Sequence, residues 1–247
     1  MLSRREQKII KSLKIKKHRT HEKRFLVEGT KNVLELLKSD FKIDLIIGTH
    51  LFFERHYPKN QPHRFEIVKR EKLTQISSFK TNSSVVAVVQ MRSYEAVEIN
   101  PDDSLFVLDG VRDPGNLGTI IRTLDWFGFD KLVCSPDSAE FYNPKVISGT
   151  MGSFTRVSVI YEDLTAFLTR FHSVPIYYAD MRGEDVNTTT LANPCIIVIG
   201  GESHGVSEPV AQLSSKSLSI PEKGGCAESL NVGVVTGIFA NHLRISR

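Results

Sequence analysis

The feature that most constrains this chain is an alternation in its second half. Short apolar runs are separated there by amphipathic segments of helical length. The apolar runs fall at 104–109, 131–134, 156–160, 175–179, 195–200 and 217–220, and the helix-like segments at 117–127, 143–151, 163–171, 207–214 and 229–244. Strands that are apolar at nearly every position, each followed by a helix, predict an α/β fold with a mostly parallel sheet and helices on both faces. Ligands of such sheets bind in the loops beyond the carboxyl ends of the strands. Candidate chemistry is therefore sought in the strand-to-helix loops.

The first half reads as a smaller α/β unit spanning 1–95. It has a helix at 30–39 with Val33, Leu34, Leu36 and Leu37 on one stripe, strands at 43–48, 65–68 and 85–91, and a helix at 71–77. The polar stretch 96–103, containing Asn100, Pro101, Asp102 and Asp103, reads as a linker to a second unit at 104–247. Apolar runs such as 194–199 are far shorter than the ~18–20 residues of a membrane helix. The N-terminus is a run of charges, unlike the apolar core of a secretory signal. Cys134, Cys195 and Cys226 are odd in number and widely spaced, which argues against a disulfide framework and a zinc site. A cytoplasmic protein without metal or membrane partner is expected.

Charge is unevenly placed. Residues 1–24 hold ten Lys or Arg against Glu6 and Glu22, a net +8, while the other 223 residues carry 22 − 26 = −4. A concentrated basic face is the footprint of a polyphosphate partner. A solvated tail and an anionic membrane surface are the alternatives. Leu2, Ile9, Ile10, Leu13 and Ile15 thread through the run, and Ser3 with Glu6 fits a capping box, so a basic amphipathic helix docked on a domain is expected. Its candidate nucleic-acid contacts are Arg4, Arg5, Lys8, Lys11, Lys14, Lys16, Lys17, Arg19 and Arg24.

Three loops stand out. The first runs from Asp109 through Asp113-Pro114-Gly115-Asn116 to Arg122. At about 100° per residue, the six residues from Asn116 to Arg122 turn roughly 600°, or 240°, so the two are not on one helix face. Asn116 would then act from the loop and Arg122 from the helix. As plain local structure, Asn116 is an N-cap and Arg122 a surface residue. The second loop is Gly200-Gly201-Glu202-Ser203-His204-Gly205. Its glycines let a ligand approach the backbone, and Glu202 can bind a cation or a hydroxyl. Residues 201–205 also fit the G-x-S-x-G nucleophile elbow, which makes a hydrolase using Ser203 a rival reading. His242 is the one histidine beyond that motif, and it falls in a predicted helix. The third loop runs from Ile220 to Val232 and enters a helix rich in small residues, with Ser229 as its cap in the plain reading. No dinucleotide G-x-G-x-x-G, Walker loop or H-E-x-x-H is present.

In this order, the three loops resemble the three signature motifs of the SpoU/TrmH family of RNA ribose methyltransferases. Asn116-Leu117-Gly118-Thr119-Ile120-Ile121-Arg122 is similar to the first and Gly200-Gly201-Glu202-Ser203-His204-Gly205 to the second. Ser219-Ile220-Pro221 with Ser229-Leu230-Asn231-Val232 is similar to the third. The resemblance covers about residues 104–245. It implies a parallel α/β domain closed by a C-terminal trefoil knot, which sequence pattern alone does not predict. It further implies S-adenosylmethionine as methyl donor, a homodimer, and transfer to a ribose 2′-oxygen of rRNA or tRNA without a metal. The matching active-site positions are Asn116, Arg122, Glu202, Ser229 and Asn231, and those lining the cofactor are Gly200, Ile220 and Leu230. Arg122 would grip a phosphate and polarise the 2′-oxygen, oriented by Asn116, Ser229 and Asn231. The stretch 220–229 is one residue longer than the common spacing, around Gly225-Cys226. The first half is similar in layout to the small RNA-binding domain of many members, and its run Phe25-Leu26-Val27-Glu28-Gly29 carries that likeness. The two-domain form favours rRNA over tRNA. An RNA-binding protein of the same fold without catalysis is the alternative.

Overall fold

The computed structural model describes residues 2–57, 62–79, 81–82, 84–92 and 104–245. The expected linker at 96–103 lies outside them. The chain divides into two compact units, Met1–Ser93 with Glu140–Thr155, and Tyr94–Ala139 with Arg156–Arg247.

The first unit begins with α1 (Arg4–Ser12) and α2 (Lys16–Glu22). There follow β1 (Arg24–Glu28), α3 (Thr30–Leu37), β2 (Ile43–Gly48), α4 (His50–His56), β3 (Phe65–Ile67), α5 (Arg70–Ile76) and β4 (Val85–Gln90). Its sheet has the order β1-β4-β2-β3, with β4 antiparallel to both neighbours and β3 parallel to β2. The strand β1 and the helix α4 were not predicted: β1 is short and α4 is a two-turn segment, so neither carries enough periodicity to be read.

The capping box forms. Ser3 Oγ accepts from Glu6 N at 3.2 Å, and Glu6 Oε2 accepts from Ser3 N at 2.8 Å. The apolar side of α1 enters the core, where Ile10 and Leu13 pack with Leu26, Leu45, Ile47, Leu73 and Ile76. The basic segment is two helices rather than one, and Arg19 fixes the joint between them. Arg19 is only 2% exposed. Its Nη1 donates to Leu13 O at 2.9 Å and Lys14 O at 2.8 Å, and its Nε donates to Glu140 Oε1 at 3.1 Å. Its Nη2 pairs with the other Glu140 oxygen. This corrects the expectation that Arg19 faces a nucleic acid: it satisfies the carbonyls left open where α1 ends. Arg24 is likewise engaged, half-buried against Asp44, and Lys14 Nζ donates to Ser77 O at 2.5 Å. Arg4, Arg5, Lys8, Lys11, Lys16 and Lys17 stay exposed.

The second unit contains β5 (Leu105–Asp109), α6 (Pro114–Trp126) and β6 (Lys131–Cys134). Next in the chain is α7 (Pro144–Gly149), which belongs to the first unit. The second unit resumes with β7 (Ser158–Tyr161), α8 (Leu164–Arg170), β8 (Ile176–Asp185), β9 (Ile196–Gly200), α9 (Glu208–Gln212), β10 (Lys216–Ser219) and α10 (Val232–Ile245). Its six strands, ordered β10-β8-β9-β5-β6-β7, are parallel throughout. One core layer joins Leu105, Val107, Ile196 and Val198 to Phe167 and Leu168 of α8 and Val210 of α9. α10 packs on α6 and β9. Both faces are thus covered, which is why β5 and β9 are apolar at four of five positions.

Residues 140–155, which fall inside the expected second domain at 104–247, cluster with the first unit. Pro144, Val146, Ile147 and Phe154 are buried there. The Phe154 ring lies 6.3 Å from Phe25 and 5.8 Å from Phe41, and Tyr142 lies 4.5 Å from Phe25. The segment goes where the four-stranded sheet offers it an apolar face. Glu140, from this segment, is the partner that neutralises Arg19.

Removing one member of a buried ion pair leaves the other charge uncompensated, at a cost of about 3–5 kcal/mol. Glu140→Ala should therefore destabilise the first unit by about 3 kcal/mol. Urea unfolding followed by circular dichroism checks this, with Lys16→Ala, a change at an exposed position, expected to stay within about 0.5 kcal/mol of wild type.

Candidate active site

β5 and β9 lie side by side, with β6 and β7 beyond one and β8 and β10 beyond the other. Strand order therefore reverses between them, which makes their carboxyl ends a topological switch point where loops diverge and ligands bind. Asp109, the last residue of β5, holds the loop after β9 at both ends. Its carbonyl accepts from Gly201 N at 2.8 Å, and its Oδ2 accepts from Ser207 N at 2.7 Å. Gly205 N closes the loop on Gly201 O at 2.9 Å. A Cβ on Gly201 would lie 2.3 Å from Gly110 O, so only glycine lets these two backbones meet.

The helix after β5 starts earlier than expected, at Pro114. Asp113 is its N-cap, accepting from Asn116 N at 2.9 Å, and Pro114 occupies the first turn, where no N–H is needed. Asn116 is thus neither a loop residue nor the cap, and its side chain is available for other bonds. Its Nδ2 donates to Glu202 Oε1 at 2.5 Å, and its Oδ1 accepts from Asn231 Nδ2 at 2.9 Å. Asn231 Oδ1 in turn accepts from Gly233 N at 2.9 Å in the first turn of α10. One donor–acceptor chain therefore joins the loops after β5 and β9 to the entry of α10.

Two expected catalytic residues stand apart from this cluster. Arg122 is exposed on α6 and has no hydrogen bond or ion pair among the described residues. Six helical residues from Asn116, it points to another side, so Asn116 and Asn231 do not orient it. Ser229 is exposed and unbonded among the described residues, and the helix begins three residues later, at Val232, so Ser229 is not its cap. Of the expected cofactor residues, Gly200 ends β9, Ile220 is half-buried and Leu230 is exposed. Between Ile220 and Asn231 every residue is exposed, and among the described residues the backbone groups there have no partner. Gly224, at φ +76°, has open space where a Cβ would sit.

Among the described residues the hydrolase alternative finds no base bonded to Ser203. Ser203 is exposed, and His242 Nε2 lies 3.3 Å from Thr189 O. Burial pushes both interior thiols up, Cys195 to about 11, so neither is a nucleophile. Sequence reasoning missed Asp109 and Asp113. The signal for Asp113 was present, because Asp-Pro-Gly is a cap followed by a first-turn proline.

A parallel α/β sheet with a polar cluster tied across its switch point defines a ligand-binding unit of the kind on which many enzymes are built. Residues 103–241 match the SpoU rRNA Methylase family, and residues 6–87 match the MRM3-like substrate binding domain. The chain belongs to the SpoU rRNA methylase family. It is 28% identical over 239 residues to the 23S rRNA (guanosine(2553)-2′-O)-methyltransferase RlmP of Bacillus subtilis (strain 168), covering 95% of this chain and 94% of that protein. Among solved structures, a TrmH-family protein from Porphyromonas gingivalis superposes with a TM-score of 0.89 at 31% identity over 100% of both chains. The AdoMet-bound rRNA methyltransferase of Sinorhizobium meliloti gives 0.86 at 26% identity over 99% of this chain and 96% of that one.

The backbone contact at Gly201 makes a specific demand. Gly201→Ala should force the two loops apart and cost about 1–3 kcal/mol. Gly225→Ala, where no atom lies within 4 Å of the added Cβ, should be neutral to within about 0.5 kcal/mol. Thermal unfolding of both variants measures the difference.

Proposed function

We propose that this protein transfers a methyl group from S-adenosylmethionine to a ribose 2′-hydroxyl of ribosomal RNA. The observation that carries the reading is the Glu202–Asn116–Asn231 chain, which brings all three signature loops of a SpoU-family member to one point. The two-unit layout, with a match to a substrate-binding domain ahead of the methylase match, favours rRNA over tRNA. The cytoplasm is the compartment that goes with this reading.

The residues at the switch point suit the methyl donor. The open backbone groups between Ile220 and Asn231, and the space over Gly224, leave room and hydrogen-bonding capacity for its adenine and amino-acid parts. Gly200, Ile220 and Leu230 would line that pocket. When bound, S-adenosylmethionine supplies a methyl carbon activated by a positive sulfur. Asn116 holds Glu202 in place, so that the exposed carboxylate can accept from a ribose hydroxyl and set the sugar's angle. Asn231 fixes Asn116 and the start of α10 together. With the methyl donor held there, transfer would form the oxygen–carbon bond as the sulfur–carbon bond breaks, and the 2′-OH proton would leave to water or a neighbouring phosphate oxygen. Arg122 does not take it, because a guanidinium offers five donors and no acceptor. It grips the phosphate beside the target ribose. Ser229, in the loop next to Asn231, adds a hydroxyl toward the ribose.

The same reading includes a homodimer and a trefoil knot closing the C-terminal part of the second unit. Support for the dimer comes from α6 and α10. Trp126 is 85% exposed one turn beyond Arg122, and Val234 and Ile245 are exposed on α10. Arg122, turned away from its own Asn116 cluster, would serve the site of the second copy. The knot goes with membership of the SpoU family.

Arg122→Ala should abolish transfer to rRNA while leaving S-adenosylmethionine affinity, measured by calorimetry, within about twofold of wild type. Mixing it with Asn116→Ala should restore part of the activity, since a mixed dimer carries one intact site. Turnover by Arg122→Ala alone would remove the residue from the mechanism.

A further inference from the structure

The first 24 residues contain no Phe, Tyr or Trp, and their two histidines, His18 and His21, lie on α2, so the basic row of α1 has no ring beside it in its own helix. Proteins that hold single-stranded RNA stack its bases on aromatic side chains, whereas contacts from Lys and Arg alone address phosphates. The unpaired charge of this segment is arranged in a particular way. On α1, Arg4, Lys8 and Lys11 recur at i, i+4 and i+7, one face of the helix, with Arg5 beside them. At 1.5 Å per residue this row is about 10 Å long. Lys16 and Lys17 continue the exposed charge on α2. None of these six has an ion-pair partner among the described residues.

The acids of the segment do not offset them. Glu6 is engaged by Arg64 at 2.7 Å and by Ser3, and the Arg64 bond is the main reason its carboxyl is held down at about 2. Glu22 is paired with His21 and Arg24. The row is also held rigidly. Arg19 clamps the α1–α2 joint through four donated bonds, Lys72 Nζ donates to Gln7, and the apolar side of α1 is in the core. A row of charge on a fixed backbone gains most from phosphates that are themselves fixed in space, because only side-chain freedom is then lost on binding.

We infer that the exposed face of α1 and α2 binds the phosphate backbone of a double-helical RNA stem, positioning the substrate by shape rather than by base sequence. This rests on the RNA reading of the protein and specifies which part of the RNA the first unit grips.

The test uses the full chain, a 20-base-pair RNA hairpin and an unstructured oligouridine of equal nucleotide count, over a salt titration. The comparison variant is Arg4→Gln/Lys8→Gln/Lys11→Gln, all at exposed positions. Each neutralised phosphate contributes roughly 0.9 to the slope of log affinity against log salt. Wild type should prefer the hairpin by roughly tenfold or more, and the variant's hairpin slope should be shallower by about two to three. An unchanged slope in the variant overturns the inference. Equal binding of hairpin and oligouridine by wild type overturns the assignment to a stem. S-adenosylmethionine binding and methyl transfer by wild type, measured in parallel, report on the catalytic reading separately. If they fail while the hairpin result holds, the function proposed above falls and the stem site stands.

Discussion

Asn116 is the residue on which the architecture of the site depends. Its single amide donates to Glu202, 86 positions away, and accepts from Asn231, 115 positions away. Three loops that are remote in sequence acquire a common geometry through it. Its freedom to do so is a consequence of local chemistry. Asp113 takes over the capping of α6 and Pro114 fills the first turn, so the Asn116 side chain is not needed by its own helix. The frame that brings the partners within reach is the parallel sheet, with β5 beside β9 and Asp109 fastening the second loop to the end of the first strand.

Much of this frame was legible before any coordinates. Buried parallel strands need apolar side chains on both faces, so Phe106, Val107, Ile197 and Val198 announce themselves as strands. The strand ends from which two of the loops leave, at Asp109 and Gly200, are legible for the same reason, whereas α6 begins at Pro114 and α10 at Val232, three residues from the expected starts. What could not be read were the effects of distant packing. Arg19 looks like one more basic residue in a basic run. Its burial is decided by Glu140, 121 positions on, and by the carbonyls exposed where α1 ends. Residues 140–155 carry no local sign that they leave the second unit for the first, because the apolar face they cover, around Phe25 and Phe41, is formed by tertiary structure. The start of α10 was misread because Ser229 and Asn231 are both good caps, and a contact with Asn116 decides between them.

The two units divide the physical work. The second concentrates polar groups at a switch point and leaves an exposed, unbonded loop beside them. The first carries Arg4, Arg5, Lys8, Lys11, Lys16 and Lys17, exposed and without an ion-pair partner among the described residues, on a scaffold that holds α1 rigidly. In the proposed function, attraction for a polyanion and alignment of a reacting sugar fall to different parts of the chain. The exposed loops at the switch point suit the second task, and the lysine and arginine face of α1 and α2 suits the first.

The most direct test of this account is methyl transfer from labelled S-adenosylmethionine to rRNA from a strain lacking the protein, followed by digestion to nucleosides. Bulk tRNA from the same strain serves as the comparison. The account predicts label in a 2′-O-methylated nucleoside of the rRNA. Label on a base, label confined to tRNA, or no label on rRNA from either free or ribosome-assembled preparations would contradict it.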